Sequence, residues 1–159
     1  MNKRLIINKI VAKLAGELEV YFRAAHYARA EATHEQNKAE NKYDTRGLEA
    51  SYLAHGQSRQ AAEIEAAIAE FEKLNPRPFS ADEAIGLGAL VTLEHGGETL
   101  LYFIGPRAGG TEVVQDKKEI FVITPQSPLG SRLMGKKRGD RPALNLGGSP
   151  QPGLIAKVE

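Results

Sequence analysis

The first 75 residues contain no proline, and then Pro76 and Pro78 arrive almost together. So long a proline-free run permits long helices, and the paired prolines end them. Apolar and small residues recur at Ile7, Val11, Leu14, Leu18, Tyr21, Ala25, Ala28 and Ala32. Steps alternating between four and three make a heptad seam, the mark of a helix that packs along one stripe. A return seam can be drawn through Leu53, Gln57, Gln60, Ile64, Ile68 and Phe71. Folding the two seams together sets Val11 opposite Phe71 and Leu18 opposite Ile64. The turn then falls near residues 41–47. This predicts an antiparallel coiled-coil hairpin over residues 1–76, with arms of roughly 35 residues that reach about 50 Å at the helical rise. The seam is Ile, Val, Leu and Phe near the base and Ala, Ser, Gln and His toward the turn. A firm base with a thin polar tip suits a probe that must enter a narrow, wet space. The same seam also permits another class of protein, an interaction module whose residues 5–40 pair with a second chain. The turn signals at the midpoint and the double proline favour the intramolecular hairpin.

From Phe79 the pattern changes. Ser80-Ala81-Asp82-Glu83 offers a possible helix start. Ala89 to Glu94 reads as a strand, His95-Gly96-Gly97-Glu98 as a turn, and Thr99 to Ile104 as the returning strand, which together make a hairpin. A glycine-rich loop follows through Gly105-Pro106 and Gly109-Gly110. It lacks a Gly-Lys-Ser/Thr step, and its spacing matches no dinucleotide fingerprint. Glu119 to Ile123 is a third strand, and Leu154 to Val158 a last one beyond a Gly/Pro/Ser-rich loop at 147–153. Between them, Ser127 before Pro128 is a cap followed by proline at the first helical position. Leu129, Leu133 and Met134 share one side of the short helix, and Gly135 ends it. The fold class is therefore α+β, a helical hairpin followed by a small β-rich domain over residues 79–159.

Composition narrows the chemistry. With no cysteine, disulfides, thiolate metal sites and a cysteine nucleophile are excluded. The formal net charge of +1 argues against wholesale binding of duplex DNA. One local basic run, Lys136-Lys137-Arg138 with Arg141, could meet a partner protein or nucleic acid, or could simply favour a helix C-terminal dipole. No stretch approaches the length of a membrane span, and the apolar run near the N-terminus is too short for a signal peptide. The expected compartment is the cytoplasm. His26, His34, His55 and His95 show no metal spacing and are read as surface residues.

The run Ser127-Pro128-Leu129-Gly130, then Leu133-Met134-Gly135-Lys136-Lys137, then Gly139-Asp140, resembles the C-terminal signature of the GreA/GreB family of bacterial transcription factors. The domain order agrees across the chain. The resemblance implies an FKBP-like fold for residues 79–159, without prolyl isomerase activity. It implies a polymerase-docking role for Ser127, Pro128, Leu129, Gly130, Leu133, Gly135 and Lys136. It also implies that bacterial RNA polymerase is the partner, with nascent RNA in the elongation complex close by; the intramolecular hairpin is expected to act as a monomer, and the hydropathy gives no membrane partner. In such factors the hairpin enters the polymerase secondary channel. Two tip carboxylates help hold a catalytic Mg²⁺ with which the polymerase cuts its own backtracked RNA. The factor is then not itself an enzyme and has no cofactor of its own beyond that shared Mg²⁺.

The tip departs from the family pattern Gly-Asp-x-x-Glu-Asn-x-x-Tyr. With Tyr52 in the tyrosine position, Thr45 takes the place of the Asp and Leu48 that of the Glu. Asp44 and Glu49, the candidate metal-holding and catalytic carboxylates, are each displaced by one residue. A second register, on Glu40-Asn41 with Tyr43, does not restore the motif either. One residue turns a helical side chain by about 100°. Two expectations stand together: a factor that stimulates transcript cleavage, and a Gre-like regulator that occupies the channel without cleaving. Asp44 or Thr45 can also serve simply to cap the second helix, with Gly47 relaxing the backbone.

Overall fold

The computed structural model describes residues 1–33, 46–80, 82–144 and 151–159. Two long helices come first, α1 (Lys3–Thr33) and α2 (Arg46–Lys73). They are followed by β1 (Leu90–His95), β2 (Glu98–Ile104), β3 (Glu112–Gln115), β4 (Lys118–Ile123), α3 (Pro128–Leu133), β5 (Ala143–Leu144), β6 (Gln151–Pro152) and β7 (Leu154–Val158). This is the expected α+β order of a helical hairpin and then a β-rich domain. The chain forms two compact units. One holds Ala12–Ile68; the other joins Met1–Val11 to Ala69–Glu159.

In the larger unit a five-stranded sheet has the order β3-β4-β2-β1-β7. All its pairings are antiparallel except β2 with β4. The β1–β2 turn is Gly96-Gly97, with φ of 61° and 84°, as a tight hairpin with both central residues left-handed requires. One face of the sheet carries Val91, Leu93, Tyr102, Ile104 and Ile155, packed with Leu133 of α3. The other face meets the base of the long helices. Phe71 has no exposed surface and stacks against Phe103 of β2, with ring centroids 6.5 Å apart. Ile6, Ile7 and Ile10 are buried with it. Asn2 caps α1, its Oδ1 accepting from the Leu5 amide at 3.2 Å. Across this base, Lys9 donates to the Val114 carbonyl (2.5 Å) and Arg107 pairs with Glu70 (2.6 Å).

Lys3 is a buried cation at this base. Its Nζ donates to the carbonyls of Arg77 and, at 3.3 Å, Gly88. It also lies 4.6 Å from the centroid of the Phe79 ring, which carries the Arg77 guanidinium at 4.3 Å as well. Such cation–π contacts offset part of the cost of taking a charge out of water. The chain is thus tied down where it leaves Pro76 and Pro78.

In the smaller unit α1 buries the stripe its spacing predicts: Leu14, Ala25 and Ala28 are buried, and Leu18, Tyr21 and Ala32 are half-buried. The α2 stripe differs from the reading through Leu53 and Gln60. Leu53 is 55 % exposed, and Gln60 faces solvent. Ala50, Ala54, Ala61 and Ala67 are buried instead, with Gln57 and Ile64 half-buried between them. The heptad was right in period but set by side-chain size. Small residues let two helices approach closely, so alanine, rather than the nearby leucine, takes the contact.

Three further differences concern the β-rich part. Strand β3 lies where a loop was expected. It is short, and its turn to β4 uses Asp116 and Lys117 at φ of 52° and 63°, positions usually signalled by Asn or Gly. The β5–β6 ribbon was not foreseen. Around Ser80–Glu83 the described residues form a turn, closed by a Glu83 amide to Ser80 carbonyl bond of 3.1 Å, rather than a helix.

A Cβ at Gly105 would lie 2.7 Å from Phe71 Cζ and 2.8 Å from Val122 Cγ1. Gly105→Ala is therefore expected to destabilise the protein by about 1–3 kcal/mol through overpacking, measured by denaturant unfolding. Burial, with the Arg77 charge second, lowers the Lys3 pKa below its ordinary 10.5. The cost of holding it charged applies below the folded-state value and is relieved as pH rises through that value toward 10.5. Stability of the native chain relative to Lys3→Met should therefore rise across that alkaline window. A difference independent of pH would contradict this.

Candidate functional site

The residues of the Ser127–Asp140 signature come together on one edge of the larger unit. Ser127 sits at φ −65°, ψ 155°, and its Oγ accepts from the Gly130 amide at 3.0 Å while donating to the Thr124 carbonyl at 2.8 Å. Pro128 follows at the first helical position, where its missing N–H costs nothing. Gly130 is packed against the preceding turn, and a Cβ there would stand 1.9 Å from the Thr124 carbonyl oxygen. Leu133 has no exposed surface, and Leu129 and Met134 pack partly against the same core. Gly135 adopts φ 77° and donates to the Ile85 carbonyl at 2.9 Å, while the Ile85 amide donates to Lys136 O at 2.7 Å. Gly139, at φ 90°, donates to Ile155 O at 2.8 Å, and Asp140 Oδ2 accepts from the Lys137 amide at 2.9 Å.

The signature thus divides by exposure. Gly130 and Leu133 are buried, and Leu129 is half-buried; they hold α3 to the sheet. Pro128, Gly135 and Lys136 are exposed, and Ser127 is half-exposed. Ser131 and Arg132 also face solvent on α3, although the spacing of the signature did not single them out. They stand on the polar side of a helix whose apolar side is Leu129 and Leu133, and that alternation is the signal that could have found them. Arg132 is steadied by a 2.7 Å bond from Nη1 to the Ala143 carbonyl. Lys136, Lys137, Arg138 and Arg141 are exposed as well, with Asp140 among them in sequence.

Of the tip carboxylates, Glu49 lies exposed in the first turn of α2, where an acid favours the helix dipole. Asp44, Glu40 and Thr45 lie outside the described residues. Leu48 and Tyr52 are 57 % and 69 % exposed. Among the described residues there is no group of three His, Asp or Glu side chains that could hold a metal. His26 and His55 are exposed as read; His34 is outside the described residues. His95 differs: it is half-buried, and its Nδ1 is buried without a hydrogen-bond partner among the described residues. No helix of the described residues is long and apolar enough to cross a membrane.

No family model matches the chain. Two curated relatives do, the transcription elongation factor GreA of Streptococcus suis strains 05ZYH33 and 98HAH33. Each is 33 % identical over 103 residues, 63 % of this chain and 59 % of the relative. The match therefore spans less than two thirds of those relatives' length. Among solved structures, the GreA factor homolog Gfh1 of Thermus thermophilus aligns over 94 % of both chains at 25 % identity and a TM-score of 0.38. Gfh1 of Thermus aquaticus aligns over 92 % of both at 24 % identity and a TM-score of 0.41.

Gly130→Ala is expected to unseat α3, because nothing at the Thr124 carbonyl can give way without losing the cap. Unfolding should show a loss of about 2 kcal/mol or more, with a Ser127→Ala variant losing roughly 1 kcal/mol.

Proposed function

We propose that this chain is a member of the GreA family of transcription factors and acts as an accessory factor of bacterial RNA polymerase. The β-rich unit docks on the polymerase, and the hairpin enters its secondary channel. The observation that carries this reading is the division of the signature. Its buried residues hold α3 to the sheet, and its exposed Pro128 and Lys136, with Ser131 and Arg132 beside them, present one proline-and-cation surface on that support. Rigid presentation lowers the entropic cost of docking. The cations steer association with an acidic surface.

The chain supplies no catalysis of its own in this reading. Any chemistry would take place in the polymerase active centre, where Mg²⁺ supplies charge stabilisation and an activated water. From this chain the tip would offer Asp44 and Glu49. A second reading, occupation of the channel without cleavage, is favoured by a specific observation: in the Tyr52 register Leu48, an exposed apolar side chain, stands where the family places its Glu.

Binding and cleavage separate in one experiment. The protein is added to a stalled, backtracked elongation complex, and both competition with an authentic Gre factor and release of short 3′ RNA fragments are measured. Competition is expected, weakened about tenfold or more by Arg132→Glu with Lys136→Glu. Fragments lost on Asp44→Asn or Glu49→Gln would establish cleavage through the tip. Competition without fragments would establish the non-cleaving regulator. No competition would overturn polymerase binding altogether.

A further inference from the structure

Strands β2 and β4 run parallel, yet they pair only over Tyr102–Ile104 and Phe121–Ile123. Both strands start earlier, β2 at Glu98 and β4 at Lys118. In the register of the paired part, Leu101 would face Ile120, Leu100 would face Glu119, and Thr99 would face Lys118. Among the described residues none of these pairs forms. The strands part, and a cleft of about 550 Å³ opens between them, reaching from Thr99, Leu100 and Leu101 to Phe121.

The parting leaves backbone groups pointing into the cleft. The Gly105 amide donates to Ile123 O at 2.9 Å, so the odd-numbered residues of β2 turn toward β4. By the period-two alternation of a strand, Thr99 and Leu101 turn the same way. On the far wall, the Val122 amide donates to Thr111 O at 2.8 Å, on the side of β3. Even-numbered β4 residues therefore face β3, and Glu119 faces the cleft. Strand groups left open in this way are a template for another strand.

The side chains around the cleft are sorted by face. Leu100 and Phe121 lie on the side packed toward the core of α3. Lys118 lies on the opposite side, in register with Gln115. Lys117 adjoins it, as the second central residue of the β3–β4 turn. Both lysines are exposed and line the mouth. Glu119 shares the face of Phe121, away from Lys118.

We infer that this cleft binds an extended peptide segment of alternating acidic and apolar residues, added along the open edge of β2. The peptide backbone would pair with Thr99 and with the Leu101 amide, the Leu101 carbonyl being already taken by the Phe121 amide in the paired part. Its apolar side chains would lie on Leu100 and Phe121, and its acidic ones would face Lys117 and Lys118. Strand addition of this kind takes affinity from the main chain and specificity from the alternating side chains. The surface is separate from α3 and does not depend on the polymerase reading.

The test is a titration of the isotope-labelled full chain with a capped hexapeptide of alternating aspartate and valine, followed by amide NMR. Saturable shifts are expected at Thr99, Leu101 and Glu119. Lys117→Glu with Lys118→Glu should weaken binding about tenfold or more, and N-methylation of the peptide backbone should abolish it in the unaltered protein. No saturable shift at these amides would overturn the proposal. So would an equal response to a lysine–valine hexapeptide, or shifts confined to residues 132–141.

Discussion

The fold depends on one interlock, the seating of Phe71 on Phe103 in the space that Gly105 leaves open. Phe71 is the last seam residue of α2 and is wholly buried. A side chain of that size buried against a sheet contributes about 2–3 kcal/mol from area alone. The contact is possible only because Gly105 has no Cβ to meet the ring at 2.7 Å. Ile6, Ile7 and Ile10 complete the layer from α1. The sheet is thus covered on both faces, by the helix bases on one and by α3 on the other. The base of the long helices therefore belongs to the larger unit, while Ala12–Ile68 form the other.

That arrangement explains why the α3 signature reads so strongly. Most of its residue types answer to local geometry: a cap at Ser127, a close approach at Gly130, core filling at Leu133 and positive φ at Gly135 and Gly139. What remains for a partner is the exposed side, Pro128, Ser131, Arg132 and Lys136 with the basic run beyond. A signature that serves the fold so fully can persist while the function carried elsewhere in the chain changes. In the Tyr52 register Asp44 and Glu49 stand one residue away from the positions of the Gre pattern, and such a change would fall there.

Legibility in the sequence followed how far each choice was local. The α1 stripe could be read because its contacts are large apolar residues at regular spacing. The short helix could be read because Ser127-Pro128 and Gly135 mark both ends. The α2 stripe was misread because alanine carries little hydrophobic signal, while Leu53 and Tyr52, more conspicuous in the sequence, face solvent. Strand β3 was missed because four residues between turns give too short a period, and because Asp116-Lys117 is an unusual pair for its turn. The parting of β2 from β4 has no sequence mark, since it depends on register between segments distant along the chain. Of the candidate site, the signature residues were legible as a motif, but their division into buried support and exposed surface was not. Glu49 is placed at the start of α2, and Asp44 lies outside the described residues.

Native-state hydrogen exchange tests the interlock most directly, because it reports the free energy at which each amide opens. If the helix bases share a core with the sheet, the amides of Ile6, Ile7, Ile10 and Phe71 will exchange only with global unfolding, in step with Phe103 and Val122. Amides within Ala12–Ile68 will open at lower free energy. Exchange of Ile6 to Ile10 and Phe71 together with the rest of α1 and α2, while β2 and β4 stay protected, would contradict the account.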